Sequence, residues 1–193
     1  MVSENTTRLA VFASGSGSNA EVLVKYFQDN SDIEIALIVS NRKDAYVLKR
    51  AEQLNVPAVV ISPSEWRKED FIKAFFLKNR IDGIVLAGYL LLIPEYFIRM
   101  YPEKIINIHP ALLPDFGGKG MYGMNVHRGV IDSGARKSGI TVHIVDEAYD
   151  RGKIIFQESL TVKQGETPES LAKRIQELEH RYYPVVVENH FTP

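Results

Sequence analysis

Near its beginning the chain reads Leu9-Ala10-Val11-Phe12-Ala13, followed directly by Ser14-Gly15-Ser16-Gly17-Ser18-Asn19-Ala20. The first five residues form an apolar run, and the glycines after them are typical of a tight turn. Apolar residues at helical spacing come next, in Asn19–Asp29. The stretch therefore predicts a buried strand, a glycine turn and a helix, one directly after another.

The same alternation continues through the first half of the chain. Short apolar runs, partly β-branched, predict four more strands, and amphipathic stretches between them predict two more helices. Strands that alternate with helices form a parallel sheet covered on both faces, and its ligands bind beyond the carboxyl ends of the strands. The predicted strands are Ile33–Val39, Ala58–Ile61, Ile84–Ala87 and Ile105–Ile108, and the helices are Asp44–Leu54 and Glu65–Asn79.

The second half has a different organisation. The glycine-rich segment Phe116–Met124 predicts a loop, with the composition of a mobile lid, and a short helix is predicted over Val126–Ser133. Two strand-like runs, Gly139–Val145 and Lys153–Val162, predict an antiparallel hairpin. The fold class is therefore α/β: a Rossmann-like three-layer fold with a mostly parallel central sheet and an added antiparallel C-terminal hairpin.

A last helix is predicted to start at Thr167, where a hydroxyl cap precedes Pro168. Pro184 is predicted to bend or end this helix, because proline lacks the N–H that an α-helix needs. No linker or repeat interrupts the sequence, so one domain is expected over residues 1–193.

The composition excludes several classes of protein. The 193 residues are 45% hydrophobic, and 23 basic against 24 acidic residues give a net charge of −1. A nucleic-acid scaffold would carry a basic excess. The absence of cysteine excludes disulfides and thiolate metal sites. The polar start Met1–Thr7 lacks a signal peptide, and no apolar run has membrane-spanning length, so a soluble cytoplasmic protein is expected.

The glycine turn is the first candidate binding site. The N–H groups of Gly17–Asn19 would point outward at a helix start, where the helix dipole favours a phosphate. A tight turn with a serine cap explains the same residues without a ligand. The pattern Gly15-x-Gly17-x-x-Ala20 also fits a dinucleotide fingerprint, although Ser40-Asn41-Arg42 ends the second strand without the expected carboxylate. An NADP-binding Rossmann module, with Arg42 at the ribose phosphate, therefore remains an alternative.

Asn107 and His109 form the second candidate site. Residues two apart share a face of a strand, so both side chains reach the ligand edge before Pro110 ends the strand. Donors aimed at a developing oxyanion lower the barrier to acyl transfer, commonly by ~3–4 kcal/mol each. An asparagine amide and an imidazole are such donors, and histidine also exchanges a proton near neutral pH. The alternative is a buried polar pair that ties the strand end to a loop.

Three acids between the last two strands compete for a place beside His109. A carboxylate there would favour the imidazolium and orient it. Asp146 and Glu147 adjoin the strand and are typical of turn or surface groups. Asp150 precedes Arg151-Gly152, where the chain must turn sharply, so its side chain can aim inward.

Metal binding is another interpretation of His109, His127 and His143 with these acids. No two of the histidines have the His-x-x-x-His spacing of a helical ligand pair. No metal is therefore predicted.

Together, and in this order, these motifs resemble the phosphoribosylglycinamide formyltransferase family, the folate-dependent enzymes of purine synthesis. The resemblance runs from Arg8 to Phe191. Besides the glycine turn, the matching segments are Asn107-Ile108-His109-Pro110-Ala111-Leu112-Leu113-Pro114, Asp146-Glu147-Ala148-Tyr149-Asp150-Arg151-Gly152 and Gln176-Glu177-Leu178-Glu179-His180.

The resemblance implies a function. The enzyme would transfer the formyl group of 10-formyltetrahydrofolate to the amine of 5'-phosphoribosylglycinamide (glycinamide ribonucleotide) in de novo purine biosynthesis. Its partners would be these two small molecules, without metal, nucleic acid or membrane, and the protein would be a monomer or a homodimer.

The resemblance also implies roles for individual residues. The implied catalytic residues are Asn107, His109 and Asp150. Those implied to bind the ribonucleotide are Gly17, Ser18, Asn19, Gln176 and Glu179. The folate is implied to lie along Leu90, Leu91, Ile93, Val145 and Asp146, with the backbone of Leu91 and Ile93 reading the pterin ring.

Two departures from the family are visible. The loop Phe116–Met124 is longer than usual, and Asn125 stands where many members have a histidine, whereas His127 keeps the next one. Sugar-amine formyltransferases and formyltetrahydrofolate deformylases share the chemistry and remain alternatives. The extra N-terminal domain of a deformylase and the C-terminal RNA-binding domain of a methionyl-tRNA formyltransferase are not expected here.

Overall fold

The computed structural model describes residues 6–148 and 150–192. Most of the polar start Met1–Thr7, and Tyr149 of the acidic loop, lie outside the described residues. The strands are β1 (Thr7–Phe12), β2 (Ile33–Ser40), β3 (Ala58–Val60), β4 (Gly83–Leu86), β5 (Ile105–His109), β6 (Lys137–Ile144) and β7 (Ile154–Thr161). The helices are α1 (Ser18–Tyr26), α2 (Tyr46–Gln53), α3 (Glu69–Lys78), α4 (Glu95–Met100), α5 (Met124–Asp132) and α6 (Pro168–Phe191).

The strands form one sheet in the order β3-β2-β1-β4-β5-β6-β7. The first five strands pair in parallel, whereas β6 runs antiparallel to both β5 and β7. The predicted fold class is therefore confirmed. The chain leaves β1 towards β2 and later returns to the other side of β1 as β4, so a crevice opens between the carboxyl ends of β1 and β4.

Each face of the sheet has its own apolar core, as the alternation along β1 illustrates. Leu9 and Val11 pack into the core under α1, α2, α5 and α6, whereas Ala10 and Phe12 pack into the core under α3 and α4. Phe97 is fully buried at the centre of the second core, with its ring against those of Phe76 and Trp66. Because both faces are covered, the parallel strands are mostly apolar runs.

The helices differ from the prediction in several details. The helix predicted from Glu65 begins at Glu69, because the Glu65 carboxylate accepts hydrogen bonds from the Ser62 N–H and hydroxyl and holds a turn there. The short helix α4 was not predicted.

Pro184 does not end the last helix, so that part of the prediction was wrong. The helix continues to Phe191, with Pro184 inside it. Proline removes one intrahelical hydrogen bond. The neighbouring Tyr183 and Val187 are fully buried, and Tyr183 also donates to the Leu86 carbonyl oxygen (2.8 Å). Tertiary packing outweighs the lost bond.

The described residues contain no helix with both the length and the apolar character needed to cross a lipid bilayer.

Candidate active site

A cleft of about 970 Å³ opens at the carboxyl edge of the parallel strands. It brings together all the residues that the sequence singled out as catalytic, ribonucleotide-binding or folate-binding. The lining includes Gly17, Ser18, Asn19, Leu90, Leu91, Ile93, Asn107, His109, Val145, Asp146, Asp150, Gln176 and Glu179. Their individual roles stay predictions, but the three separate motifs do meet in one place.

The glycine turn forms part of the lining of this cleft. Gly17 adopts the left-handed conformation (φ 72°) immediately before α1. A side chain there would collide with Val47, so both the conformation and the close approach require glycine. The first bond of the helix runs from the Glu21 N–H to the Gly17 carbonyl oxygen (2.9 Å). The N–H groups before Glu21 therefore have no partner within the helix and suit an anion.

Two side-chain pairs connect the glycine turn to α6. The Gln176 amide donates to the Ser18 hydroxyl oxygen (2.9 Å), and the Asn19 amide donates to the Glu179 carboxylate (2.9 Å). Burial raises the pKa of Glu179 to about 7, outweighing the Asn19 hydrogen bond, which lowers it. A carboxyl group with few donors around it is suited to accept hydrogen bonds from hydroxyl groups of a ligand.

Asn107, His109 and Asp150 lie close together in the lining of the cleft. Asn107 and His109 extend from the same face of β5, as their spacing predicts. Nδ1 of His109 lies 3.7 Å from a carboxylate oxygen of Asp150, whose backbone is left-handed (φ 54°) and whose carboxylate accepts the Gly118 N–H (2.9 Å). Of the three competing acids, Asp150 is therefore the one beside His109.

A residue that the sequence linked only to metal binding, His143, completes this group. Its Nδ1 donates to the Ile144 carbonyl oxygen (3.0 Å), which leaves Nε2 to accept the Asn107 amide (3.1 Å). The same Nε2 lies 3.5 Å from Asp150. His143 on β6 stands opposite Asn107 in the antiparallel register, a pairing without a signature in the sequence. One N–H of the Asn107 amide thus holds His143, and the other is left for a ligand.

Both ring nitrogens of His109 are occupied by the protein. Nε2 donates to the Phe116 carbonyl oxygen (2.8 Å), while Nδ1 faces Asp150. Burial lowers the pKa of His109 below its usual value, although the Asp150 charge and the Phe116 carbonyl oppose that change. Burial also works to raise the pKa of Asp150, but the two imidazoles and the Gly118 N–H outweigh it and lower the pKa. Burial thus opposes protonation of His109, whereas the Asp150 carboxylate and the Phe116 carbonyl oxygen, which each face a ring nitrogen, favour it.

The apolar wall of the cleft is held by Ser14. This buried side chain accepts the Leu90 N–H (2.8 Å) and donates to Asn41 at the end of β2. Its own N–H donates to the Gly88 carbonyl oxygen (3.0 Å). One serine thus joins the carboxyl ends of β1, β2 and β4 and positions the segment that continues through Leu91 and Ile93.

His127, which the sequence also linked only to metal binding, is a second histidine of the cleft. It lies in the first turn of α5, lines the cleft and is 6% exposed. Asn125, in contrast, is exposed and its amide donates to the Gly120 carbonyl oxygen (3.1 Å).

Arg42, on which the NADP alternative depended, is outside the cleft lining and pairs with Asp44 (2.8 Å).

No three histidine, aspartate or glutamate side chains within residues 6–148 and 150–192 are grouped so that they could hold a metal ion.

Comparison with known proteins identifies relatives along nearly the whole chain. Residues 7–187 match the formyl transferase family. The phosphoribosylglycinamide formyltransferase of Bacillus subtilis is 39% identical over 186 residues, which cover 94% of this chain and 93% of that protein. The chloroplastic phosphoribosylglycinamide formyltransferase of Arabidopsis thaliana is 42% identical over 186 residues, or 93% of this chain.

The fold has close counterparts too. Glycinamide ribonucleotide transformylase 1 from Geobacillus kaustophilus superimposes with a TM-score of 0.88 at 39% identity, covering 96% of this chain and 99% of that one. The chain spans 64% of the length of the Arabidopsis relative and 60% of that of a chloroplastic relative from Vigna unguiculata.

Proposed function

The chain belongs to the formyl transferase family, and on that premise we propose that it transfers the formyl group of 10-formyltetrahydrofolate to the amine of glycinamide ribonucleotide. The products are formylglycinamide ribonucleotide and tetrahydrofolate, and the setting is purine biosynthesis. One observation carries the proposal: a single cleft contains a glycine turn suited to an anion, an apolar wall and the Asn107–His109–Asp150 group.

The turn at Gly17–Asn19 binds the substrate phosphate through backbone N–H groups at the positive end of α1. Gln176 and Glu179 face the ribose from α6, and the carboxylate of Glu179 accepts hydrogen bonds from its hydroxyl groups. The folate lies along Leu90–Ile93 and along Val145 and Asp146. This arrangement directs the amine of one substrate towards the formyl carbon of the other, and such positioning supplies much of the rate of a two-substrate reaction.

Asn107 donates its remaining N–H to the formyl oxygen as negative charge develops on it. His109 acts as the second donor in its protonated form, which that charge and Asp150 both favour. Because Nδ1 of His109 faces Asp150, Nε2 must serve the substrate, and its hydrogen bond to Phe116 is then given up or shared. Asp150 holds the imidazolium and helps move the amine proton, through water, towards the folate nitrogen.

The test is to incubate the protein with 10-formyltetrahydrofolate and three acceptors in turn: glycinamide ribonucleotide, an aminosugar nucleotide and water. Mass spectrometry would identify the formylated product. Formylated glycinamide ribonucleotide is expected, with little formate released. Preferred formylation of the aminosugar nucleotide, or release of formate at the same rate without an amine, would contradict the assignment of the acceptor.

The role of His109 has its own test. His109→Ala should lower kcat by about 10²–10⁴-fold and change KM little, because the contribution of His109 grows in the transition state. His190→Ala is the matched control, since His190 lies at the end of α6 and binds the Glu103 carbonyl oxygen. A His109→Ala variant with near-normal turnover would remove His109 from the reaction.

A further inference from the structure

His127 is the imidazole in the cleft that the described contacts leave unsatisfied. Its Nδ1 is fully enclosed and has no hydrogen-bond partner among residues 6–148 and 150–192. The side chain nevertheless lines the cleft, and the charge of His109 is close enough to affect its pKa. Since Nδ1 is enclosed by protein, Nε2 is the ring nitrogen that can meet a ligand.

The surroundings decide how this ring is protonated. A proton on the enclosed Nδ1 would be an orphaned donor, which proteins tolerate less well than an under-satisfied acceptor. The neutral tautomer with its proton on Nε2 is therefore favoured. An imidazolium would place a proton on Nδ1 as well. Burial and the charge of His109 lower the pKa of His127, and the positive end of α5 acts in the same direction.

The other two histidines of the cleft have their ring nitrogens engaged within the protein. His109 bonds Phe116 and faces Asp150, and His143 bonds Ile144 and Asn107. His127 is thus the imidazole of this group that offers an N–H to a ligand without first giving up a bond.

Resting on the function proposed above, we propose that His127 is a further catalytic residue, a neutral N–H donor from Nε2 to the reacting formyl oxygen. The amine lone pair forms the new C–N bond, and the carbonyl π pair moves to oxygen. His127 donates to that oxygen alongside Asn107 and His109. The pair then returns to re-form the carbonyl, and the bond to the folate nitrogen breaks. That nitrogen leaves with the bonding pair and receives the proton lost by the amine, so His127 neither gains nor loses a proton.

The experiment compares His127→Ala with His127→Gln in the full chain. Alanine removes the donor and should lower kcat by about 10²–10³-fold with KM values little changed. Glutamine places an amide N–H close to the position of Nε2 and should restore kcat to within about tenfold of wild type, because a neutral donor is all that is needed. The same two substitutions at His190 should leave kcat unchanged.

A second measurement does not depend on activity. Nitrogen-15 NMR of the histidine rings at pH 7 should show His127 as the neutral Nε2–H tautomer, whereas a proton on Nδ1 would overturn the proposal. A His127→Gln variant as slow as His127→Ala would also overturn the proposal, because it would indicate that His127 transfers a proton. A His127→Ala variant with a raised KM for the ribonucleotide and an unchanged kcat would overturn it as well. An active wild type with an equally active alanine variant would refute this inference alone. A wild type without formyl transfer would refute the proposed function and the inference with it.

Discussion

Replacing Glu179 with glutamine should make the protein more stable at alkaline pH. Burial raises the pKa of this carboxyl from 4.5 to about 7. The folded state therefore binds the proton more tightly than the unfolded chain does. The stabilising contribution is complete below pH 4.5 and is lost as the pH rises through 7.

The magnitude follows from the size of that change. Each pKa unit corresponds to about 1.4 kcal/mol, so an ionised Glu179 lowers the free energy of unfolding by on the order of 3 kcal/mol relative to the protonated form. Glutamine has the shape of the protonated carboxyl, carries no charge, and its carbonyl oxygen can still accept the Asn19 amide. Glu179→Gln should thus match wild type near pH 4.5 and exceed it by up to about 3 kcal/mol at pH 8.

Urea unfolding of both proteins at half-unit steps between pH 4.5 and 8 measures this difference. Glu177→Gln is the matched control, because Glu177 is an exposed residue of the same helix and should leave the pH dependence as in wild type. Parallel stability curves for wild type and Glu179→Gln across this range would refute the claim that burial dominates at Glu179. The same substitution should raise KM for the ribonucleotide if the carboxylate accepts its hydroxyl groups.

Three further substitutions test the fold around the site. Gly17→Ala should cost at least 1–2 kcal/mol of stability, roughly the penalty of a left-handed non-glycine residue, and should also raise KM for the phosphorylated substrate because its Cβ displaces Val47. Phe97→Ala should cost about 3–5 kcal/mol in urea unfolding through the cavity it leaves in the core, whereas truncation of the exposed Val185 should cost less than about 0.5 kcal/mol. Thr167→Ala removes the side-chain cap of α6 and should cost about 1 kcal/mol with activity unchanged, so a large loss of activity would contradict a purely structural role.

The local sequence determined the elements of the parallel half other than α4, and the positions of the site motifs. The apolar run before Ser14 and the glycines after it specify strand, turn and helix through interactions between residues close in the chain. Asn107 and His109 share a face because the strand period is two, and no distant contact is needed for that. Strand and helix alternation then places both motifs at one edge of a sheet.

The tertiary structure decided everything that depends on which distant groups meet. Pro184 stays helical because packing around Tyr183 and Val187 outweighs a local preference. His143 reaches Asn107 only through the antiparallel register of β5 and β6. The Phe116 carbonyl that occupies His109 and the burial that raises the pKa of Glu179 likewise arise only when the chain is folded. Local propensity and periodicity act over a few residues, whereas charge states and hydrogen-bond partners depend on the whole surrounding volume.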